Sequence, residues 1–236
     1  MIDYTDIDFI YFDLDDTVWD FSANSPVSLR HVYDFYGFEQ YAGSYDAFRD
    51  LYLPKNAELW DLYHYGKIDK EFLESERFRH TIAGIGDSRA EDSAFCAAVN
   101  EEYLRYLATL PTAVPGAREV LEDLYRKGMP LGILSNGFAG IQQQKLRSAG
   151  LLHYFKEIVL SDEVGVTKPL PGIFEFATRK AGTAPHRIMM IGDNYEADIV
   201  GAHTQGWKTV YFDRKAAAPN PTVADYTIRN LSELIK

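Results

Sequence analysis

Four stretches of this chain share one pattern: a short apolar run, rich in β-branched or aromatic residues, that stops abruptly at polar ones. They are IDFIYFD ending at Asp13, MPLGILSN ending at Asn136, FKEIVLSD ending at Asp162 and RIMMIGD ending at Asp193. A fifth, GWKTVYFD, ends at Asp213 in the same way. Runs that are apolar on both alternations predict strands buried on both faces, and so a parallel sheet covered by helices. Helical patterns lie between them. In PGAREVLEDLYRKG, Pro115 suits a first-turn position, Ala117, Val120, Leu121 and Leu124 recur at helical spacing, and Gly128 supplies the stop. PGIFEFATRKAG repeats the arrangement with Pro171 and Gly182. NYEADIVGAHTQG closes at Gly206, with Gly201 and Ala202 small enough for close approach to the sheet. AAAPNPTVADYTI reads as a loop leading to a short final strand and helix. Alternation of strand and helix gives a doubly wound, Rossmann-like α/β fold by the right-handed crossover rule.

Residues 19–105 break this rhythm. They are rich in aromatics and acids and carry helical periodicity without a buried-strand run. FEQYAGSYDAFRDLYLPKNAELWDLYHYG and DKEFLESERFRHTIAGIG read as consecutive helices. The simplest organisation is an all-helical cap domain, 19–105, inserted into a core domain of 1–18 and 106–236.

Composition adds little to the fold and more to the partners. The 236 residues are 46% hydrophobic and 25% charged, enough apolar material for a domain with a sizeable insertion. A formal net charge of -11 argues against non-specific binding to nucleic acid or an anionic membrane. A local pocket can still reverse that sign for a small anion. The single cysteine, Cys96, excludes an internal disulfide framework and reads as a small buried residue of a helix. The first apolar run is short and ends in acid, unlike a signal peptide, and no stretch is apolar enough to span a bilayer. The expected location is cytoplasmic.

In open α/β sheets, ligands bind beyond the carboxyl ends of the strands. Asp13 and Asp15, Ser135 and Asn136, and Asp193 all stand at such ends, and Lys168 follows the third run by a short loop. Two like charges about 4 Å apart cost roughly 4 kcal/mol at an effective dielectric near 20. Asp13, Asp193 and nearby Asp198 would therefore repel one another, and a bound phosphate would add to that. A hard divalent cation with oxygen ligands offsets the repulsion, and Mg²⁺ is the usual partner of carboxylate and phosphate oxygens. Lys168 supplies a second positive charge, and Ser135 can donate a hydrogen bond to a phosphate oxygen.

DLDDT at 13–17, SNG at 135–137, KP at 168–169 and GDNYEAD at 192–198 resemble the four motifs of the haloacid dehalogenase-like hydrolases, in the family's order and each after a predicted strand. The resemblance covers essentially the whole chain. It implies that Asp13 is the nucleophile forming an aspartyl-phosphate, and that Asp15 is the general acid and then the general base. It further implies that Asp13, the Asp15 backbone carbonyl and Asp193 hold Mg²⁺, with Asp198 as a nearby or water-bridged ligand. Ser135, Asn136 and Lys168 would bind the phosphoryl group. Dehalogenases of this superfamily lack an acid at the position of Asp15, so the resemblance points to a phosphatase or phosphomutase. A donor at this position must be protonated, and the neighbouring acids are expected to raise its pKa. Within the superfamily, FDLDDTVWDF and LWDLYHYGKIDKEFLESERF resemble the pyrimidine-nucleotide 5′-nucleotidase branch with a helical cap, which implies nucleoside monophosphates as substrates. In capped members, a loop such as that at Gly66–Lys67 often faces the active site.

Asp16 reads as a turn residue, and Thr17 as one that also orients the Asp13 loop. The aromatics Trp19, Phe21, Tyr45, Trp60, Tyr63 and Tyr65 read mainly as core, and Arg77 and Lys67 as helix-surface charge. The six histidines show no metal-ligand spacing. The expected partner is a small phosphorylated metabolite, with the oligomeric state left open. A sugar phosphomutase shares these residues but returns the phosphoryl group to its substrate. A phosphorelay receiver shares the acceptor aspartate, the hydroxyl residue and the lysine, but is too short for this chain and lacks the acid two residues on.

Overall fold

In the computed structural model, which describes residues 2–216 and 222–235, each of the five apolar runs forms a strand. These are β1 (Phe9–Phe12), β2 (Leu131–Ser135), β3 (Glu157–Leu160), β4 (Ile188–Gly192) and β5 (Lys208–Phe212). The short final strand is β6 (Tyr226–Ile228), and the helix expected after it is a 3-10 segment, Leu231–Ile235. Of the loop expected across AAAPNPTVADYTI, residues 217–221 lie outside the described residues.

All six strands pair in parallel, in the order β3-β2-β1-β4-β5-β6. The chain winds outward from β1 through β2 and β3, then returns to lay β4 on the other side of β1. This reversal places the ligand crevice of a doubly wound sheet beyond the carboxyl ends of β1 and β4. Every residue of β1, β2 and β4 is buried, as strands covered on both faces must be. Close packing leaves its mark at Gly132, which pairs with Tyr11 in register. A Cβ there would stand 2.6 Å from the Tyr11 ring. That ring stacks on Trp207 at 5.4 Å, and its hydroxyl donates to the Ala177 carbonyl at 2.9 Å.

The covering helices follow the sequence pattern with two differences. Helix Ala117–Arg126 buries Ala117, Val120, Leu121 and Leu124, but Pro115 lies ahead of it instead of in its first turn. The chain turns into that helix at Gly116, whose φ of 84° suits a residue without a side chain. Helix Pro171–Ala181 does carry Pro171 in its first turn and ends at Gly182. Gly201 is tightly packed, although its closest neighbours are the Phe174 ring at 2.7 Å and the Pro169 Cα at 3.1 Å from a Cβ position, on elements outside the sheet.

The chain divides into two compact units, Met1–Phe21 with Pro111–Lys236, and Ser22–Leu110. These boundaries fall a few residues later than the sequence pattern suggests. Trp19 is the reason on one side: it is fully buried and bridges to Asp15 and Ala113, which ties it to the sheet-bearing unit.

The second unit is helical throughout its regular structure among the described residues. Its main helices are Phe21–Phe35, which begins at the unit boundary, Tyr45–His64, Lys70–Gly84 and Ser93–Leu107. Ser44, Asp69 and Asp92 cap the last three by accepting backbone N–H groups of the first turn. The buried aromatics at its centre include Tyr33, Phe38, Phe48, Tyr52, Phe78 and Tyr103. This corrects the sequence reading, since Tyr45, Trp60 and Tyr63 are only half-buried and Tyr65 is exposed. Arg77 also departs from expectation. It is 2% exposed and donates from Nε to the Asn100 Oδ1 at 2.6 Å, whereas Lys67 does lie on the surface. Cys96 is buried in its helix as expected. No helix among the described residues is long and apolar enough to cross a membrane.

Candidate active site

Asp13 is the first residue after β1, and its backbone N–H donates to the Ile191 carbonyl of β4 at 2.9 Å. Asp193 follows β4 directly, so the two adjacent strands deliver their acids to the same crevice. Asp198 comes from the turn beyond, a π-helical segment, Tyr195–Val200, whose widened backbone is of the kind often found at functional sites. One carboxylate oxygen from each of Asp13, Asp193 and Asp198 lies within 4.8 Å of the others. Gly192 makes this possible, because a Cβ there would stand 2.2 Å from the Asp198 Oδ2.

Lys168 reaches this cluster from the loop after β3. Its Nζ donates to Asp13 Oδ1 at 2.6 Å, to Asp198 Oδ1 at 2.6 Å and to the Leu134 carbonyl at 2.7 Å. Three donors meet three acceptors, which satisfies the ammonium although the residue is only 2% exposed. Burial opposes the charge, but the carboxylates of Asp13 and Asp198 outweigh it and hold the lysine above its ordinary pKa.

Asn136, a phosphate-binding candidate, follows β2 directly. Its side chain closes on the backbone of Lys168, accepting from the Lys168 N–H at 2.7 Å and donating to the Lys168 carbonyl at 2.9 Å. The amide thus fixes the base of the lysine stem. Ser135 ends β2 beside Asp13, and its Oγ accepts the Gly137 N–H at 3.1 Å. Thr17 donates to Asp193 Oδ1 at 3.3 Å, so it ties the Asp13 loop to the acid of the neighbouring strand. Asp16 is a turn residue with φ of 62°, held by Arg214 at 3.2 Å.

Asp15 meets different company from that expected. Its neighbours are a lysine and an amide, not the acid cluster: Lys145 Nζ stands 2.7 Å from Oδ1, and Gln142 Nε2 donates to Oδ2 at 2.8 Å. Both come from helix Ala139–Ser148. The sequence alone does not single them out, since the polar residues of QQQKLRS are equally compatible with a solvated helix. Their spacing, three residues apart and so on one helix face, was the signal available.

The acids cannot all carry charge on one lysine. Burial, reinforced by the charges of Asp198 and Asp16, raises Asp193 from 3.8 to about 7. Burial also raises Asp13 well above the carboxylate range; Lys168 opposes this, and Asp198 and Asp193 add to it. A buried all-oxygen cluster of this kind, short of positive charge, fits a hard divalent cation such as Mg²⁺.

The model of the haloacid dehalogenase-like hydrolases matches residues 7–206. Among curated proteins, the chain is 32% identical to the pyrimidine 5′-nucleotidase YjjG of Escherichia coli, covering 96% of both chains. It is 29% identical to the pyrimidine 5′-nucleotidase PynA of Streptococcus pneumoniae, over 96% of this chain and 94% of that protein. Among solved structures, the magnesium-bound HAD-hydrolase YfnB of Bacillus subtilis superposes with a TM-score of 0.84, at 26% identity over 97% of this chain and 96% of that one.

Proposed function

Since the chain belongs to the haloacid dehalogenase-like hydrolases, we propose that it hydrolyses phosphomonoesters through an aspartyl-phosphate on Asp13, with nucleoside 5′-monophosphates as the favoured substrates. The observation that carries this reading is the buried contact of Lys168 with Asp13 and Asp198, beside Asp193, at the reversal point of the sheet. The names of YjjG and PynA support the choice of nucleotides.

Lys168 holds one oxygen of Asp13, and the other attacks phosphorus. The phosphorus–oxygen ester bond breaks as the acyl-phosphate bond forms, and Asp15 passes its proton to the departing alkoxide. Asp15, now a carboxylate, takes a proton from the water that attacks the same phosphorus, releasing phosphate and restoring Asp13. Ser135 donates a hydrogen bond to a phosphoryl oxygen, and Lys168 neutralises charge at the reacting centre. Magnesium, held by Asp13, the Asp15 carbonyl and Asp193 with Asp198 nearby, would supply the remaining positive charge.

A screen of nucleotides and sugar phosphates with magnesium tests the reading. Release of free phosphate, fastest from nucleoside 5′-monophosphates, is the expected result. A folded protein that turns over none of them, or that returns an isomerised sugar phosphate, contradicts it.

The acid cluster adds a pH prediction. Without a cation, the folded protein keeps a proton on Asp193 up to about pH 7, whereas the unfolded chain loses it near the ordinary carboxylate value of 3.8. Between those limits the folded state binds the extra proton, so metal-free stability falls as pH rises, by on the order of 1 kcal/mol per pH unit. Magnesium displaces that proton, and its stabilising effect grows from pH 5 to pH 8. Thermal denaturation with and without the ion at each pH measures this. An effect of constant size would remove Asp193 from the ligand set.

A further inference from the structure

Helix Ala139–Ser148 turns two polar side chains inward, and both are spent on residues of the site. Gln142 is 1% exposed and Lys145 is 3% exposed. Burying an amide and an ammonium is costly unless their polar ends are used, and here they are. Lys145 Nζ lies 2.7 Å from Asp15 Oδ1, and it sits over the rings of Trp19 at 4.6 Å and Phe21 at 5.7 Å. The rings wall in the ammonium, so its approach to Asp15 is fixed in direction as well as distance.

Gln142 divides its amide nitrogen between two partners, Asp15 Oδ2 at 2.8 Å and Ser135 Oγ at 2.8 Å. Ser135 Oγ also accepts the Gly137 N–H. A hydroxyl has two acceptor lone pairs and one proton. With both lone pairs filled, the proton of Ser135 is left for donation to another acceptor. Gly137 gives the glutamine its room, since a Cβ there would stand 2.1 Å from Nε2.

We propose that Gln142 and Lys145 are positioning residues: together they hold both oxygens of the Asp15 carboxyl in place for proton transfer, and Gln142 commits the Ser135 hydroxyl to donating. Neither touches the substrate. This inference rests on the reading of Asp15 as the acid that protonates the leaving oxygen.

The test compares leaving groups in the first turnover with magnesium. p-Nitrophenolate departs without a proton at neutral pH, whereas the alkoxide of uridine 5′-monophosphate needs one. Positioned acid–base catalysis contributes about 10²- to 10⁴-fold. Asp15→Asn should therefore slow uridine 5′-monophosphate far more than p-nitrophenyl phosphate. Gln142→Ala and Lys145→Met should repeat that selectivity, with losses of about 100-fold against a few-fold, and Lys145→Arg should recover most of the loss. Equal losses on both esters in Gln142→Ala and Lys145→Met, beside a selective Asp15→Asn, overturn the positioning role alone. An Asp15→Asn variant without selectivity, or a folded wild-type protein inert toward both esters, overturns the reading of the site and this inference with it.

Discussion

Asp13→Asn is expected to stop turnover while leaving the fold standing. An amide cannot form the acyl-phosphate, so the two-step route through residue 13 is lost. Asp198 sits against Lys168 and accepts the Asn194 N–H at 3.0 Å, which holds it as a structural partner of the lysine. Removing a nucleophile that acts within such a unit costs on the order of 10⁵-fold or more in kcat. Stability should move the other way. Burial raises the pKa of Asp13, so carrying its charge there is costly in the metal-free protein. Asparagine removes that charge, and Lys168 keeps Asp198 and the Leu134 carbonyl as partners. Metal-free Asp13→Asn should thus unfold at the same denaturant concentration as wild type or higher at pH 8. Activity and urea denaturation measured on one preparation decide the matter: retained turnover would take Asp13 out of the nucleophile role. A collapse of stability would show that its contact with Lys168 is mainly architectural.

The sheet was readable because strands covered on both faces leave a distinctive signal, an apolar run without alternation, as in FIYF and IMMIG. Asp13 and Asp193 were readable because each stands where such a run stops. Less could be read of the groups that hold those acids. Asn136 reads as a phosphate ligand from its place after β2, but nothing in the sequence shows that its amide also closes on a backbone segment 32 residues further along. Only the folded loop brings that segment within reach. Gln142 and Lys145 lie in a helix whose composition suggests solvent on most sides. Their burial depends on Asp15, Ser135 and two aromatic rings that only the fold brings around them. The aromatic centre of the helical unit shows the same limit. Periodicity marks helices, but it does not rank Tyr52 above Trp60 for burial, because that choice is made by packing between helices.

Lys168→Met is expected to be the most damaging change to the fold among the site residues. Methionine nearly matches the lysine stem in length and removes only the charge, so the loss reports electrostatics more than packing. It would leave Asp13 and Asp198 facing each other in a buried cluster that already includes Asp193. Taking one partner from a buried ion pair costs about 3–5 kcal/mol, because the remaining charge is neither hydrated nor paired. The cost should depend on pH with a definite sign. Burial already raises Asp13 and Asp193, and without the lysine the folded state holds those protons more tightly, while the unfolded chain titrates near its ordinary values. The variant therefore recovers stability as pH falls from 8 to 5.5, where protonated acids no longer repel. Magnesium should also restore part of the loss at pH 8 by supplying the missing positive charge, without restoring activity, since the phosphoryl group would still lack Lys168. Urea denaturation of the variant and the wild type at both pH values, with and without magnesium, measures every part of this. A variant as stable as wild type at pH 8 without metal would mean that Lys168 does not neutralise the cluster. The electrostatic account of the site would then fail at its centre.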